Sequence, residues 1–159
     1  MDELLKILKR NAREKPEDIA RMLNMPVEVV KAKIIEYERT GIIRGYQAIV
    51  NEDQLDLDKV TAVIEVKVTP EREGGFNRVA SRISRFSEVQ SLYLMSGSFD
   101  LLLFVAGQDL KEVALFVSEK LATIDGVTST ATHFMLKTYK HHGVLMETSH
   151  EDERLQITP

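Results

Sequence analysis

The residues best placed to do chemistry lie between Arg21 and Arg44. Within that stretch Val30, Ile34 and Tyr37 recur at i, i+4 and i+7, one apolar stripe of a helix. Glu28, Lys31, Ala32, Ile35 and Arg39 then point largely outward, with Lys33 and Glu36 on the flanks. An outer face of this kind suits the major groove of double-stranded DNA, its N-terminal half nearest the bases. Lys31 and Lys33 are the leading candidates, toward phosphates or guanine edges. Arg10, Arg13, Arg21, Arg39 and Arg44 would supply flanking backbone contacts. The helix carries Lys31, Lys33 and Arg39 against Glu28, Glu36 and Glu38, so it has no net charge. Glutamates beside phosphates weaken affinity that does not depend on sequence.

Several elements must position that face. Leu4, Leu5, Leu8 and Ala12 recur at three- and four-residue spacing and predict a first amphipathic helix. Pro16 suits the first turn of a second helix, where a missing N–H costs nothing. Glu17 and Asp18 place negative charge at that helix's positive end, and Ile19, Ala20 and Leu23 form its buried stripe. Asn24-Met25-Pro26 breaks it and starts a third helix, from about Val27 to Thr40, closed by Gly41. Short helix, tight turn and longer amphipathic helix make a helix-turn-helix. Tyr46–Val50 is expected as a strand, and Asn51–Lys59 as a polar, acid-rich connector.

The rest of the chain alternates between two periodicities. Thr61–Val68 is β-branched and predicts a strand with Ala62, Ile64, Val66 and Val68 on one face. After a break at Gly74-Gly75, Phe76, Val79, Ala80, Ile83 and Phe86 carry helical spacing. Val89–Met95 predicts a second strand, and Ser96-Gly97-Ser98 turns it into a third, Phe99–Val105. Asp109 and Glu112 have the spacing of a capping box, opening a helix lined by Leu110, Val113, Ala114, Val117, Leu121 and Ile124. Asp125-Gly126 ends that helix, and Val127–Lys137 is expected as a long fourth strand. The order βαββαβ is ferredoxin-like, two helices covering one face of an antiparallel sheet. Its other face is left bare, so a homodimer through sheet faces or edges is expected.

Composition excludes several classes. The chain has 159 residues, 43% hydrophobic and 29% charged, and a net charge of −4, an ordinary folded protein. Residues 1–50 hold 10 Lys+Arg against 8 Asp+Glu, while the remainder holds 11 against 17. A weakly basic head on an acidic body suits DNA contact at one end. No apolar run exceeds about six residues (Leu101–Ala106), so no membrane partner is expected. The first residues lack the basic start and apolar stretch of a signal peptide, and a cytoplasmic location is expected. Without cysteine there is no disulfide, thiol nucleophile or thiolate metal site. Four histidines, His133, His141, His142 and His150, stand outside any H-E-x-x-H, nucleophile elbow or phosphate loop. No catalytic residue, metal or cofactor is expected, and the chain does not read as an enzyme.

Together these features resemble the Lrp/AsnC (feast/famine) family of transcriptional regulators, over nearly the whole chain. The resemblance rests on the IA-x-x-L pattern of Ile19, Ala20 and Leu23 and on the hinge Gly41-Ile42-Ile43-Arg44-Gly45-Tyr46. It continues through Gly97-Ser98-Phe99-Asp100-Leu101-Leu102 and ends with Gly126-Val127 leading to Thr130, Thr132 and Lys137. It implies an α+β chain: a winged helix-turn-helix DNA-binding domain over residues 1–45, a strand and linker over 46–60 and a ferredoxin-like effector-binding and oligomerisation domain over 61–146. A polar tail over 147–159, mostly polar and loosely ordered, completes it. Dimers that join into tetramers or octamers are implied, with a small-molecule effector, commonly an amino acid, near the turn between the second and third strands.

Carried over by position, Met95, Gly97, Ser98, Phe99 and Asp100 are the effector-binding candidates. A glycine turn there would expose N–H groups to a carboxylate, and Asp100 would accept from an ammonium. Thr130, Thr132 and His133 are weaker candidates. The chain departs from the family where Pro26 stands at a cap usually Ser or Thr, and where Ala32 and Glu36 replace frequent arginines. Two rival readings follow. One is a sensing or assembly module without specific DNA binding; the other is a decarboxylase of the same two-part architecture acting on a modified tetrapyrrole.

Overall fold

The computed structural model describes residues 2–55, 57–69 and 75–147. The chain divides into two compact units, Met1–Val50 and Asn51–Pro159.

The first unit is three helices, α1 (Glu3–Arg10), α2 (Pro16–Leu23) and α3 (Val27–Arg39). Asp2 caps α1, its Oδ1 accepting the Leu4 N–H at 2.9 Å. Pro16 opens α2 without a side-chain cap, followed by Glu17 and Asp18 in the first turn. Asn24 ends α2 in the left-handed conformation (φ 51°, ψ 48°), which Asn tolerates better than most residues. Its successor Met25 donates to the Ala20 carbonyl at 3.0 Å, and Pro26 starts α3 with no side-chain cap. At the other end Gly41 takes a φ of +74°, the glycine stop expected there. Leu4, Leu8, Ile19, Ala20 and Val30 are buried together, with Leu23, Ile34, Tyr37 and Ile43 packed against them.

Two expectations for this unit need correction. Ala12 lies outside α1 in an exposed turn, because Asn11 leaves the helix in an extended conformation (φ −145°, ψ 95°). Tyr46–Val50 forms no strand: it runs out from α3 with no ladder partner, and a lone strand has nothing to bond its edges.

The second unit is built on β1 (Val60–Val68), which lies between two antiparallel neighbours. After a single 3₁₀ turn at Glu52–Gln54 and β1 come α4 (Gly75–Ile83), β2 (Val89–Leu94), β3 (Leu101–Gly107), α5 (Leu110–Leu115) and β4 (Val127–Phe134). The sheet order is β2-β3-β1-β4, which is the ferredoxin-like order for βαββαβ. Ala62, Ile64 and Val66 of β1 face Val105, Leu103 and Leu101 of β3. These residues bury against Val79 and Ile83 of α4 and Val113 of α5. The Gly74 half of the predicted glycine break lies outside the described residues.

The helix after β3 departs from expectation. Asp109 does cap it, accepting the Glu112 N–H at 2.7 Å, while Glu112 reaches back to the Gln108 N–H. After Leu115, however, the backbone winds as a π-helix over Phe116–Leu121, closed by an Ala122 N–H bond to Val117 at 2.8 Å. A π turn bonds i to i+5 and shifts the phase of every later side chain. Phe116 and Leu121, five apart, are therefore both buried; before the π segment, Leu110 and Ala114 are exposed, outside the stripe expected to hold them. The fourth strand is also shorter than Val127–Lys137, stopping at Phe134. The chain then forms a small hairpin of β5 (Lys140–His141) and β6 (Val144–Leu145). His142 and Gly143 both take positive φ in its two-residue turn, as a type I′ turn requires. Of the expected polar tail, Glu147 is exposed and residues 148–159 lie outside the described residues.

One polar cluster locks the three-helix unit. The Asp2 carboxylate accepts from the Tyr37 hydroxyl at 2.5 Å and from the Lys33 ammonium at 3.2 Å, tying the start of α1 to α3. The Tyr37 hydrogen bond, then the Leu4 N–H, pulls the Asp2 carboxyl down to about 2. The same bond pushes the Tyr37 hydroxyl up to about 12. An aspartate with a depressed folded value stabilises above its ordinary range near 4 and loses that contribution as pH falls toward 2. A raised tyrosine stabilises below about 10 and loses its contribution as pH climbs toward 12. We predict that the melting point of the three-helix unit falls between pH 4 and pH 2 in the native chain and falls less in Asp2→Asn, as followed by helical circular dichroism. Equal acid sensitivity in the two proteins would show that the cluster contributes nothing.

Candidate functional site

The outer surface of α3 is built by the stripe opposite it. With Val30, Ile34 and Tyr37 held in the core, Glu28, Ala32, Ile35 and Arg39 follow at i, i+4, i+7 and i+11 along the exposed side. Ile35 is 62% exposed and Val29, beside this line, 40%. The two lysines are not at its centre. Lys31 lies on the flank toward α2, its ammonium 3.6 Å from carboxylate oxygens of both Glu17 and Glu28. Lys33 lies on the opposite flank and is held by Asp2. Of the other candidates, Arg21 is exposed and paired with Asp18, and Arg39 is exposed at the end of α3. The Arg44 guanidinium folds over Gly41, so close that a Cβ there would meet its Cζ at 3.0 Å. Tyr46 reaches back to α3, its hydroxyl donating to Glu38 at 2.8 Å. Burial and that bond both raise the Tyr46 hydroxyl above its ordinary value.

The second group of candidates surrounds the β2–β3 turn. Met95 and Ser98 are exposed, and Gly97 takes φ +143° with open space where a Cβ would point. Phe99 and Asp100 are half-buried. Asp100 is engaged three ways: its N–H donates to the Val66 carbonyl at 3.0 Å, its carbonyl accepts from Met95 at 2.8 Å, and its Oδ2 accepts the Val68 N–H at 2.8 Å. The carboxylate thus replaces a ladder carbonyl at the end of β1. Sequence reasoning missed this role, because an aspartate after a glycine turn reads equally well as loop chemistry.

The strand candidates divide between the two faces of the sheet. Thr130 pairs with Val66 and Thr132 with Ile64, so both lie on the helix-covered side. Thr130 shares β1 residue Val66 with Asp100 and therefore belongs to the same end of the sheet. His133 pairs with Val63 on the opposite, bare face, where its Nε2 is 3.4 Å from Glu65. The structure therefore brings Met95–Asp100 and Thr130 to one end, and His133 to a different surface.

The bare face also carries Val63, Leu102, Phe104 and Tyr93, with the Tyr93 and Phe104 rings edge-to-face at 6.2 Å. Lys137 lies beyond β4 and pairs with Glu147 at 2.6 Å, which raises its ammonium above the usual value. His141 and His142 sit in the terminal hairpin, and His150 lies outside the described residues. Among the described residues, no three His, Cys, Asp or Glu side chains are grouped to hold a metal ion, and no helix is long and apolar enough to cross a membrane.

Comparison with known proteins identifies the sheet unit as a ligand-binding type. Residues 61–145 match the model of the Lrp/AsnC ligand binding domain. The chain belongs to the Lrp/AsnC family of transcriptional regulators. It is 48% identical over 158 residues to the uncharacterized HTH-type transcriptional regulator YugG of Bacillus subtilis, covering 99% of this chain and 95% of that one. It is 31% identical to the HTH-type transcriptional regulator LrpA of Pyrococcus horikoshii, over 86% of this chain and 94% of LrpA. Among solved structures, Escherichia coli AsnC aligns with a TM-score of 0.66 at 22% identity, covering 89% of this chain and 95% of AsnC. A Neisseria meningitidis regulator solved with L-Met aligns at 0.68 and 23% identity, covering 89% and 93%. These two likenesses establish a shared fold.

The double role of Asp100 yields a prediction. Asp100→Ala removes the acceptor of the Val68 N–H and should lower the stability of the sheet unit by about 1–3 kcal/mol. Asp100→Asn retains a carbonyl for that N–H and should melt within about 1 kcal/mol of the native chain. Matching losses in the two variants, by denaturant titration, would show that charge rather than the hydrogen bond holds the turn.

Proposed function

We propose that the chain is a sequence-specific DNA-binding transcriptional regulator, working in the cytoplasm, whose response is set by an amino acid or related small metabolite. One observation carries this reading. A single chain joins a helix-turn-helix with an uncovered α3 face to a sheet unit matching a ligand-binding domain. In this reading residues 1–45 are the DNA-binding domain and 61–146 bind effector and hold the assembly together. The winged form would be completed when the extended Tyr46–Val50 finds a partner.

Glu28, Ala32 and Arg39 face the groove, while Lys31, Lys33, Arg21 and Arg44 flank it. Met95, Gly97, Ser98, Phe99 and Asp100, with Thr130 at the same end of the sheet, form the effector site. Thr132 lies farther along the same face as an outer member, whereas His133, on the bare face, stands outside the site. A homodimer through the bare sheet face accounts for the apolar residues displayed there, and higher assemblies follow from dimer contacts. The mechanism is linkage: an effector that binds one assembly better shifts the population toward it, and with it the spacing of the DNA-reading heads. The chain performs no catalysis in this reading; among the described residues His133 lies on the sheet face and His141 and His142 lie apart from it in the hairpin.

A second reading, a sensing or assembly module without specific DNA binding, is favoured by the absence of net charge on α3. Binding to DNA upstream of its own gene, measured at several salt concentrations, separates the two. The regulator should prefer its operator over random duplex by about 10³-fold or more, with affinity falling steeply as salt rises. Equal weak binding to all duplexes would establish the module. For the effector, melting is compared across the twenty amino acids. The cognate ligand at 100 times its Kd should stabilise the native state by about 2.7 kcal/mol. No shift with any of the twenty would remove amino acids as the effector class.

A further inference from the structure

We propose that α3 reads its operator through thymine methyl groups and a cytosine amino group, not through basic side chains on guanine. This inference rests on the DNA-binding reading above and specifies its chemistry. In a helix-turn-helix the N-terminal part of the second helix approaches the base edges. Here that part presents Glu28, Val29 and Ala32, and the next turn presents Ile35, all exposed and none positively charged. Both lysines assigned above to phosphates or guanine edges stand on the flanks and are paired with carboxylates, Lys31 with Glu17 and Glu28 and Lys33 with Asp2. Arg39 is the last residue of α3, three turns from its start.

Each exposed group then selects a base edge. The methyl groups of Val29, Ala32 and Ile35 have one apolar feature to meet in the major groove, the C5-methyl of thymine. The Glu28 carboxylate only accepts hydrogen bonds, so it is matched by the N4 amino group of cytosine and repelled by the two acceptors of guanine, O6 and N7. A lone carboxylate would be expelled from a phosphate-lined groove. The Lys31 ammonium, 3.6 Å from Glu28, offsets that charge and makes an accepting contact tolerable.

The test uses the full chain and base-modified DNA. Duplexes selected by the protein from a random pool are remade with uracil for thymine, and separately with 7-deazaguanine for guanine, and their affinities compared at one salt concentration. Uracil should weaken binding about fourfold for each contacted methyl lost, the equivalent of about 0.8 kcal/mol, whereas 7-deazaguanine should leave it unchanged. Glu28→Gln should convert one preferred cytosine in each half-site to adenine, since glutamine pairs with N6 and N7. Loss of binding with 7-deazaguanine but not with uracil would overturn the inference. So would tight, salt-sensitive binding with no sequence enriched, which leaves DNA binding itself standing. Failure to retain any duplex would overturn both.

Discussion

Strand β1 has both edges bonded and one face buried, and the arrangement of the sheet unit follows from that constraint. A strand with neighbours on both sides must satisfy every N–H and C=O in a ladder, from its first residue to its last. Along most of its length β3 and β4 supply those partners in register. At Val68 the register against β4 shifts, and the partner on the other side is a side chain, the carboxylate of Asp100. The turn between β2 and β3 therefore takes the shape that lets Asp100 reach β1. The candidate ligand surface is a by-product of completing the ladder at the end of β1, and any ligand that uses Asp100 shares it with the backbone.

The three-helix unit solves a smaller version of the same problem. Its apolar core is only five buried residues with seven partly buried around them. Leu4 anchors the start of α1 in that core, and a carboxylate, a phenol and an ammonium add a polar tie from there to α3. That use of Lys33 has a consequence for recognition: a cation turned toward α1 cannot also lie at the centre of the outer face. In the proposed reading, stability of the head and chemistry of its outer face would be coupled through Lys33.

What was legible in the residues was periodicity. The stripes Val30–Ile34–Tyr37 and Ala62–Ile64–Val66–Val68 placed a helix and a strand with their correct buried faces, and Asn24 and Gly41 marked the helix ends. What was not legible depends on distant partners or on a change of period. Phe116 was missed: it stands five residues before the correctly placed Leu121, a spacing that a 3.6-residue repeat cannot assign to one face. Tyr46–Val50 has strand composition but no neighbour to pair with. The engagement of Lys33 with Asp2 spans 31 positions, which no local pattern displays. Asp2 was missed as a cap, although an aspartate directly before the first apolar-periodic turn is the signal that would have found it.

The neutrality of α3 takes on a definite meaning in this setting. Had the face been merely acidic, phosphate repulsion would argue against any nucleic acid. Instead each flanking lysine is balanced by a carboxylate, while the outermost line alternates an acceptor, two apolar side chains and a terminal arginine. Such a surface gives up the sequence-independent attraction that basic faces enjoy on every duplex. It retains the contacts that distinguish one base pair from another, because methyl packing and hydrogen-bond acceptance depend on groove edges rather than on backbone charge. A single head of this kind binds weakly. Two or more heads held at fixed spacing recover affinity through effective concentration without losing discrimination. In the proposed assembly, a discriminating but weak head would give the joined sheet units control over DNA occupancy.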